Sequence, residues 1–182
     1  MLISSELKQT NIAEYILYMW QTEDILRAFD FDINKIKSEI IEKYNVDNDT
    51  KENITSWYKS MIQMSELENI KKSGHLQIIR NIVTDLNDLH LWLLNHPSET
   101  QYKQYFDMAL PHIKALEEKM TGTAENDIDV CLHGLYAVML LKMQKKEISS
   151  DTNAAVETFR QLIASAAAKY KDREEHPEKY YD

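Results

Sequence analysis

A chain of 182 residues suits one domain, large enough to bury roughly 70% of the surface its unfolded form would expose. Its 43% hydrophobic content supports a packed core, and only 3 Gly and 3 Pro leave few of the turns an all-β or βαβ chain needs, so an all-α fold is expected. With 21 basic against 30 acidic residues, a net charge of −9, and no basic run beyond Lys71-Lys72 and Lys145-Lys146, nucleic acid and anionic lipid are poor partners.

The first helix is expected from about Ser5 to Phe29, with Ile12, Ile16, Met19 and Leu26 at helical spacing and Tyr15, Trp20 and Phe29 on the flanks. Asp32 is placed to cap a second helix carrying Ile33, Ile36, Ile40 and Tyr44, which the polar cluster "NVDNDT" ends. Ile54, Trp57, Tyr58, Met61, Met64 and Leu67 mark a third, with Ser73-Gly74 either its stop signal or a weak point inside one long helix. Leu76, Ile79, Val83, Leu86, Leu89 and Leu93 form the strongest stripe, closed by "NHPSET" because the residue before Pro97 disfavours helix.

Ser98 and Gln101 have the spacing of a capping box for a fifth helix through Tyr102, Phe106, Ala109, Ile113 and Leu116. Pro111 inside that pattern predicts a kink or break near Leu110. After "TGTAEND", Ile128, Leu132, Leu135 and Met139 define a sixth helix, and after "SSDTN", Val156, Phe159, Leu162, Ile163 and Ala166 define a seventh. The last segment, "KDREEHPEKYYD", reads as a charged, mobile tail whose two tyrosines could dock. No repeat is visible, so the expectation is a single-domain bundle of six or seven mostly antiparallel helices over 1–172, with the tail at 173–182.

The single cysteine, Cys131, cannot form an internal disulfide, the opening "MLISSELKQT" has no apolar signal core, and no apolar span reaches membrane length. A cytoplasmic protein without a membrane partner is expected.

Absences restrict the chemistry. Gly74, Gly122 and Gly134 are too scattered for a phosphate-binding loop or dinucleotide fingerprint, and no serine sits in a nucleophile elbow. None of the six histidines follows an acid by three residues, and none pairs with another at i, i+3 or i, i+4, which argues against a di-iron centre and a zinc-protease helix. No metal or cofactor is implied. Asp129 and His133 do stand at i, i+4: Asp129 could orient His133 as a base or ligand, or it could simply favour the helix dipole from the first turn, which is the preferred reading. His90 is weaker, since Asp85 and Asp88 fall on other faces, and Cys131 reads as a buried structural cysteine.

The sharpest feature is a fault in the first stripe, where Glu23 and Asp24 interrupt "NIAEYILYMWQTEDILRAFDFD" and Arg27 follows one turn later. Arginine is rare here, and Arg27 and Arg80 both sit in apolar helical segments, where a planar guanidinium suits partly buried pairing. Glu23 with Arg27 and Asp24 with Arg27 have helical pairing distances, and Arg80 could cross over to the remaining acid. The preferred reading is a structural ion-pair network fixing helix register. The alternative is a polar pocket for a small charged ligand, with Trp20 and Tyr15 as walls.

The same block, together with "GHLQIIRNIVTDLNDLHLWLL" and "GLYAVMLLKM", resembles a family of uncharacterised helical proteins from Bacteroidetes-type bacteria, over nearly the whole chain. The resemblance implies a bacterial, all-helical protein with a domain of unknown function, and carries over no catalytic residue or cofactor. The leading expectation is therefore a non-enzymatic module for protein interaction or self-association. The alternative is a small-molecule- or metal-binding bundle, with enzymatic activity in scope, around Glu23, Asp24, Arg27, Arg80, Trp20 and Tyr15, with Asp129 and His133 secondary.

Overall fold

The computed structural model describes residues 2–120 and 124–180; Gly122 and Tyr181 lie outside them. The described chain is all-helical. Its eight α-helices are α1 (Leu2–Thr10), α2 (Ile12–Ala28), α3 (Ile33–Glu39), α4 (Asn48–Leu67), α5 (Gln77–Asn95), α6 (Thr100–Glu117), α7 (Asp127–Met143) and α8 (Ser150–Glu175), with 3-10 turns at Ile41–Lys43 and Pro177–Lys179. The count exceeds the expected six or seven because the first stripe breaks at Asn11. The Asn11 side chain accepts from the Ala13 N–H at 3.2 Å, the local capping that Asn offers in place of a continuing helix.

Where one domain was expected, the chain divides into two compact units, residues 1–9 and 14–81 in the first and 10–13 and 82–182 in the second. Most of α2 and the first turn of α5 thus belong to the first unit, and the rest of α5 to the second.

In the first unit, α2 buries Ile16, Met19, Trp20 and Leu26, and Glu23 stands in register with them at 1% exposure. The helix ends in two residues with left-handed backbone, Asp30 and Phe31 (φ 53° and 59°), after which Asp32 caps α3 by accepting from the Asn34 N–H at 2.9 Å, as expected. The Asp47 carboxylate caps α4 through the Thr50 N–H at 2.7 Å. That helix stops earlier than Ser73-Gly74. Asn69 takes the left-handed position (φ 58°) and the Ile70 N–H closes back on the Ser65 carbonyl at 3.1 Å. Gly74 instead turns the link between α4 and α5, at φ 91°, where a side chain would be strained.

In the second unit, α7 is apolar on nearly every side: Ile128, Val130, Cys131 and Leu132 are all buried, which marks it as the central helix, with α6 and α8 packed on it and on each other. Pro111 does not break α6. The helix runs on to Glu117, and both Pro111 and Asp107, whose carbonyl loses its partner, are exposed, so the lost bond falls on a face open to solvent. The capping box does not form either. The helix starts at Thr100, and Ser98 instead meets His96 Nδ1 at 2.8 Å while Gln101 donates to the Tyr105 hydroxyl at 2.9 Å.

The expected tail boundary falls inside α8. Arg173 pairs with Asp85 at 2.7 Å, and the buried Tyr180 donates to Asp172 at 2.8 Å with its ring 4.9 Å from that of Trp92. Residues 173–180 are therefore pinned rather than a free charged tail.

Candidate functional site

Glu23 takes a different partner from the one its spacing suggests. Its Oε1 accepts from the Leu76 backbone N–H at 3.0 Å, and its Oε2 lies 2.6 Å from His75 Nδ1. Leu76 is the residue before α5, and Glu68 accepts from the next N–H, that of Gln77, at 2.6 Å. Two carboxylates from outside the helix thus satisfy the first donors of α5, where negative charge also meets the positive end of the helix dipole. Trp20 stacks on the His75 ring, with centroids 4.4 Å apart and planes 19° apart.

Arg27 pairs with Asp24 at 3.0 Å rather than with Glu23, and its other amino group donates to the Gly74 carbonyl and, at 3.4 Å, to that of Ile70. Arg80 does not cross to the acids. It is exposed and donates to Gln77 on its own helix. Tyr15 is buried two turns earlier on α2, takes no part in the Glu23 hydrogen bonds, and has its hydroxyl pKa raised by burial. The fault in the stripe is a knot that ties residues 70–76 onto α2, and Glu23 has both oxygens engaged within it. His75 and Glu68 were missed; the signal for them is the "HLQ" at the head of α5, which has no Ser, Thr, Asp or Asn to cap it.

The second unit holds a buried polar group that spacing did not indicate. His90 is 0% exposed, shares a hydrogen bond with the Tyr102 hydroxyl at 2.7 Å, and presents an edge-on ring to Phe106 at 5.0 Å. Its Nε2 has no hydrogen bond, the nearest carboxylate being Asp127 at 3.9 Å. Burial lowers its pKa to about 4, so it is neutral at physiological pH. Burial, and then the Asp127 charge, push the Cys131 thiol up, which disfavours the thiolate a nucleophile needs.

Asp129 and His133 do meet, Nδ1 lying 3.2 Å from Oδ1, and that bond raises the His133 pKa. Asp129 also accepts from the Glu125 N–H at 3.0 Å, so the pair closes the first turn of α7.

Between α6, α7 and α8 the second unit opens a cleft of about 330 Å³. Its floor is Gly134, Val138, Val156 and Phe159, flanked by Leu116 and Leu141. Small residues (Ala115, Ala137 and Ala155) leave the space, and His112, Lys119, Asp151 and Thr152 supply the polar groups of the lining. Gly134 lets Phe159 and Leu116 close in, since a Cβ there would stand 2.8 Å from the Phe159 ring. Among the described residues no group of three or more His, Cys, Asp or Glu is placed to hold a metal ion, and no helix is long and apolar enough to cross a membrane.

These features define an all-helical protein with an apolar cleft and with its buried polar groups built into helix caps and core. The chain belongs to the family described as a domain of unknown function, DUF4924, which matches residues 1–177. No curated protein and no solved structure matches it.

Proposed function

We propose that the chain is a non-enzymatic binding protein of the bacterial cytoplasm, of the Bacteroidetes type its sequence resembles, and that it takes a small apolar molecule in the cleft between α6, α7 and α8. The observation that carries this reading is the cleft itself: about 330 Å³ over an apolar floor, within the size range of small-molecule sites. The titratable clusters favour binding over catalysis, because Glu23 is occupied by Leu76 and His75 and Cys131 is held as a thiol. A net charge of −9 argues against a nucleic-acid partner.

The test uses the neutral fluorescent probe N-phenyl-1-naphthylamine. Enhanced emission with the native protein, lost in Ala155→Phe, which fills the cleft, supports the reading; no enhancement with the native protein overturns it. Protein interaction or self-association stands as the second reading, and Leu67 (81%) in the first unit and Met143 (59%) in the second are the exposed apolar side chains at which to test it. A dimer in native mass spectrometry, abolished by Met143→Glu or Leu67→Glu, is its expected signature.

A further inference from the structure

Independently of the cleft, we propose that residues 176–180 are an autoinhibitory strap, a built-in ligand that covers a docking site for a lysine–tyrosine pair of a partner peptide. Trp92 of α5 and Asp172 of α8 make that site.

The strap begins where the sequence ends α8. His176 precedes Pro177, a position that disfavours helix, and its backbone stands at φ −138° and ψ 61°. Its N–H still reaches the Asp172 carbonyl at 2.7 Å. The 3-10 turn beyond it then closes on itself, the Lys179 N–H on the His176 carbonyl and the Tyr180 N–H on that of Pro177. His176, Pro177, Glu178 and Lys179 are exposed, and of the five residues only Tyr180 is buried, at 8% exposure. A segment with one buried anchor and a backbone bonded mainly to itself lies at the low end of local stability and opens without the rest of the fold.

The anchor shows what the site accepts. The Tyr180 ring lies 4.9 Å from that of Trp92, which stacks in turn on His96 at 4.5 Å. Its hydroxyl donates to Asp172 Oδ2 at 2.8 Å, while Lys179 Nζ donates to Oδ1 of the same carboxylate at 3.1 Å. One carboxylate thus holds a phenol and the ammonium that precedes it, and one indole holds the ring. Burial, and then the bond to Asp172, push the Tyr180 hydroxyl up, so it stays a donor. A phosphotyrosine would set its phosphate against the Asp172 carboxylate, so the site selects the unmodified residue. A partner segment with the same two residues reaches these contacts only while the strap is lifted, and its affinity falls by the fraction of time the site is open.

The test follows the Trp92 indole N–H by NMR in the full chain, with the peptide acetyl-His-Pro-Glu-Lys-Tyr-amide as probe. Tyr180→Ala, whose fold is checked by circular dichroism, is expected to bind the peptide about tenfold tighter than the native chain, as for a strap closed about nine-tenths of the time. Leucine in place of the peptide's tyrosine should abolish binding, and alanine in place of its lysine should weaken it severalfold. Equal binding by the native and Tyr180→Ala chains, or none by either, would overturn the site. Amide exchange in the native chain tests the opening itself: Lys179 and Tyr180 should exchange at least about tenfold faster than Leu162 and Ala166 of α8. Exchange in step with those core amides would overturn the strap. A native dimer that Tyr180→Ala abolishes would put a second copy in the partner's place and overturn autoinhibition.

Discussion

The knot around Glu23 in the first unit and the core around His90 in the second treat buried polar groups in opposite ways. Glu23 is a carboxylate at 1% exposure, yet both its oxygens are used, by the Leu76 N–H and by His75. His90 is at 0% exposure with one nitrogen engaged by Tyr102 and the other without a hydrogen bond, and it is kept neutral by its surroundings. A carboxyl group is tolerated in the interior where each of its oxygens has a partner. Where a ring nitrogen lacks one, the interior keeps the group uncharged. The first arrangement is therefore vulnerable to loss of a partner and the second to acid.

The knot predicts the heavier cost. Glu23→Ala leaves the Leu76 N–H without its acceptor and removes the carboxylate partner of His75 Nδ1, and should destabilise by about 3–5 kcal/mol in urea unfolding followed by circular dichroism. Glu23→Gln keeps an acceptor and should cost less. If Glu23→Gln left stability untouched, the carboxylate charge would have no role in the knot.

Acid should act on the His90 core. The unfolded chain binds a proton at an ordinary histidine pKa of about 6.5, the folded one at about 4, so stability falls as pH drops between those values and levels off below. The loss amounts to roughly 3 kcal/mol, read as a decline in the urea midpoint that His90→Phe removes. Asp172, whose pKa is lowered first by the Tyr180 hydroxyl and then by Lys179, loses its contribution only at more acid pH, outside that window.

How far these sites could be read in advance follows from the range of their contacts. Stripes such as Leu76, Ile79, Val83 and Leu86 announce their helices because burial and the 3.6-residue period act over neighbouring positions. The break at Asn11 escaped because apolar residues continue beyond it, although an Asn ahead of "IAEYI" is a start signal in its own right. Pro111 misled because the rule concerns a lost bond, and here that bond falls on a helix face open to solvent.

The fault at Glu23 was visible as a charge in an apolar register, but its partners lie 52 and 53 residues away, where spacing says nothing. The cleft left no trace at all, since it is made by alanines and a glycine, which read as ordinary helix residues until the larger side chains around them are in place.

Three smaller changes probe the second unit's packing and the rim of the knot. Gly134→Ala puts a methyl 2.8 Å from the Phe159 ring and 3.0 Å from Leu116, an overpacking cost of about 1–3 kcal/mol that better helix propensity, worth about 1 kcal/mol, offsets in part. The expected net loss is about 0–2 kcal/mol, accompanied by weaker binding of the naphthylamine probe as the ring moves. Arg27→Ala removes donors from the Gly74 and Ile70 carbonyls and should cost about 1 kcal/mol, whereas Asp24→Ala touches a pair whose acid is 47% exposed and should cost at most about 0.5 kcal/mol. Equal effects from those two variants would mean that the guanidinium acts through its carboxylate and not through the link it holds.

The slightest effect has the opposite sign from that of His90. The His133 pKa is raised, chiefly by its bond to the Asp129 carboxylate, so this histidine favours the folded state while protonated. Its contribution is fully present below an ordinary histidine pKa and is lost as pH rises through the folded value. Because the ring is 36% exposed, solvent screens the pair and the effect should stay within a fraction of a kcal/mol. It emerges against a quiet background in His90→Phe, where the acid-side decline is gone and stability should instead drift downward as pH rises past neutrality. Adding Asp129→Asn to that variant should flatten the drift, since Asn keeps the local geometry and removes the charge. A drift that survived the second change would have to be carried by another group, and the i, i+4 pair would then be a contact of geometry without an electrostatic role.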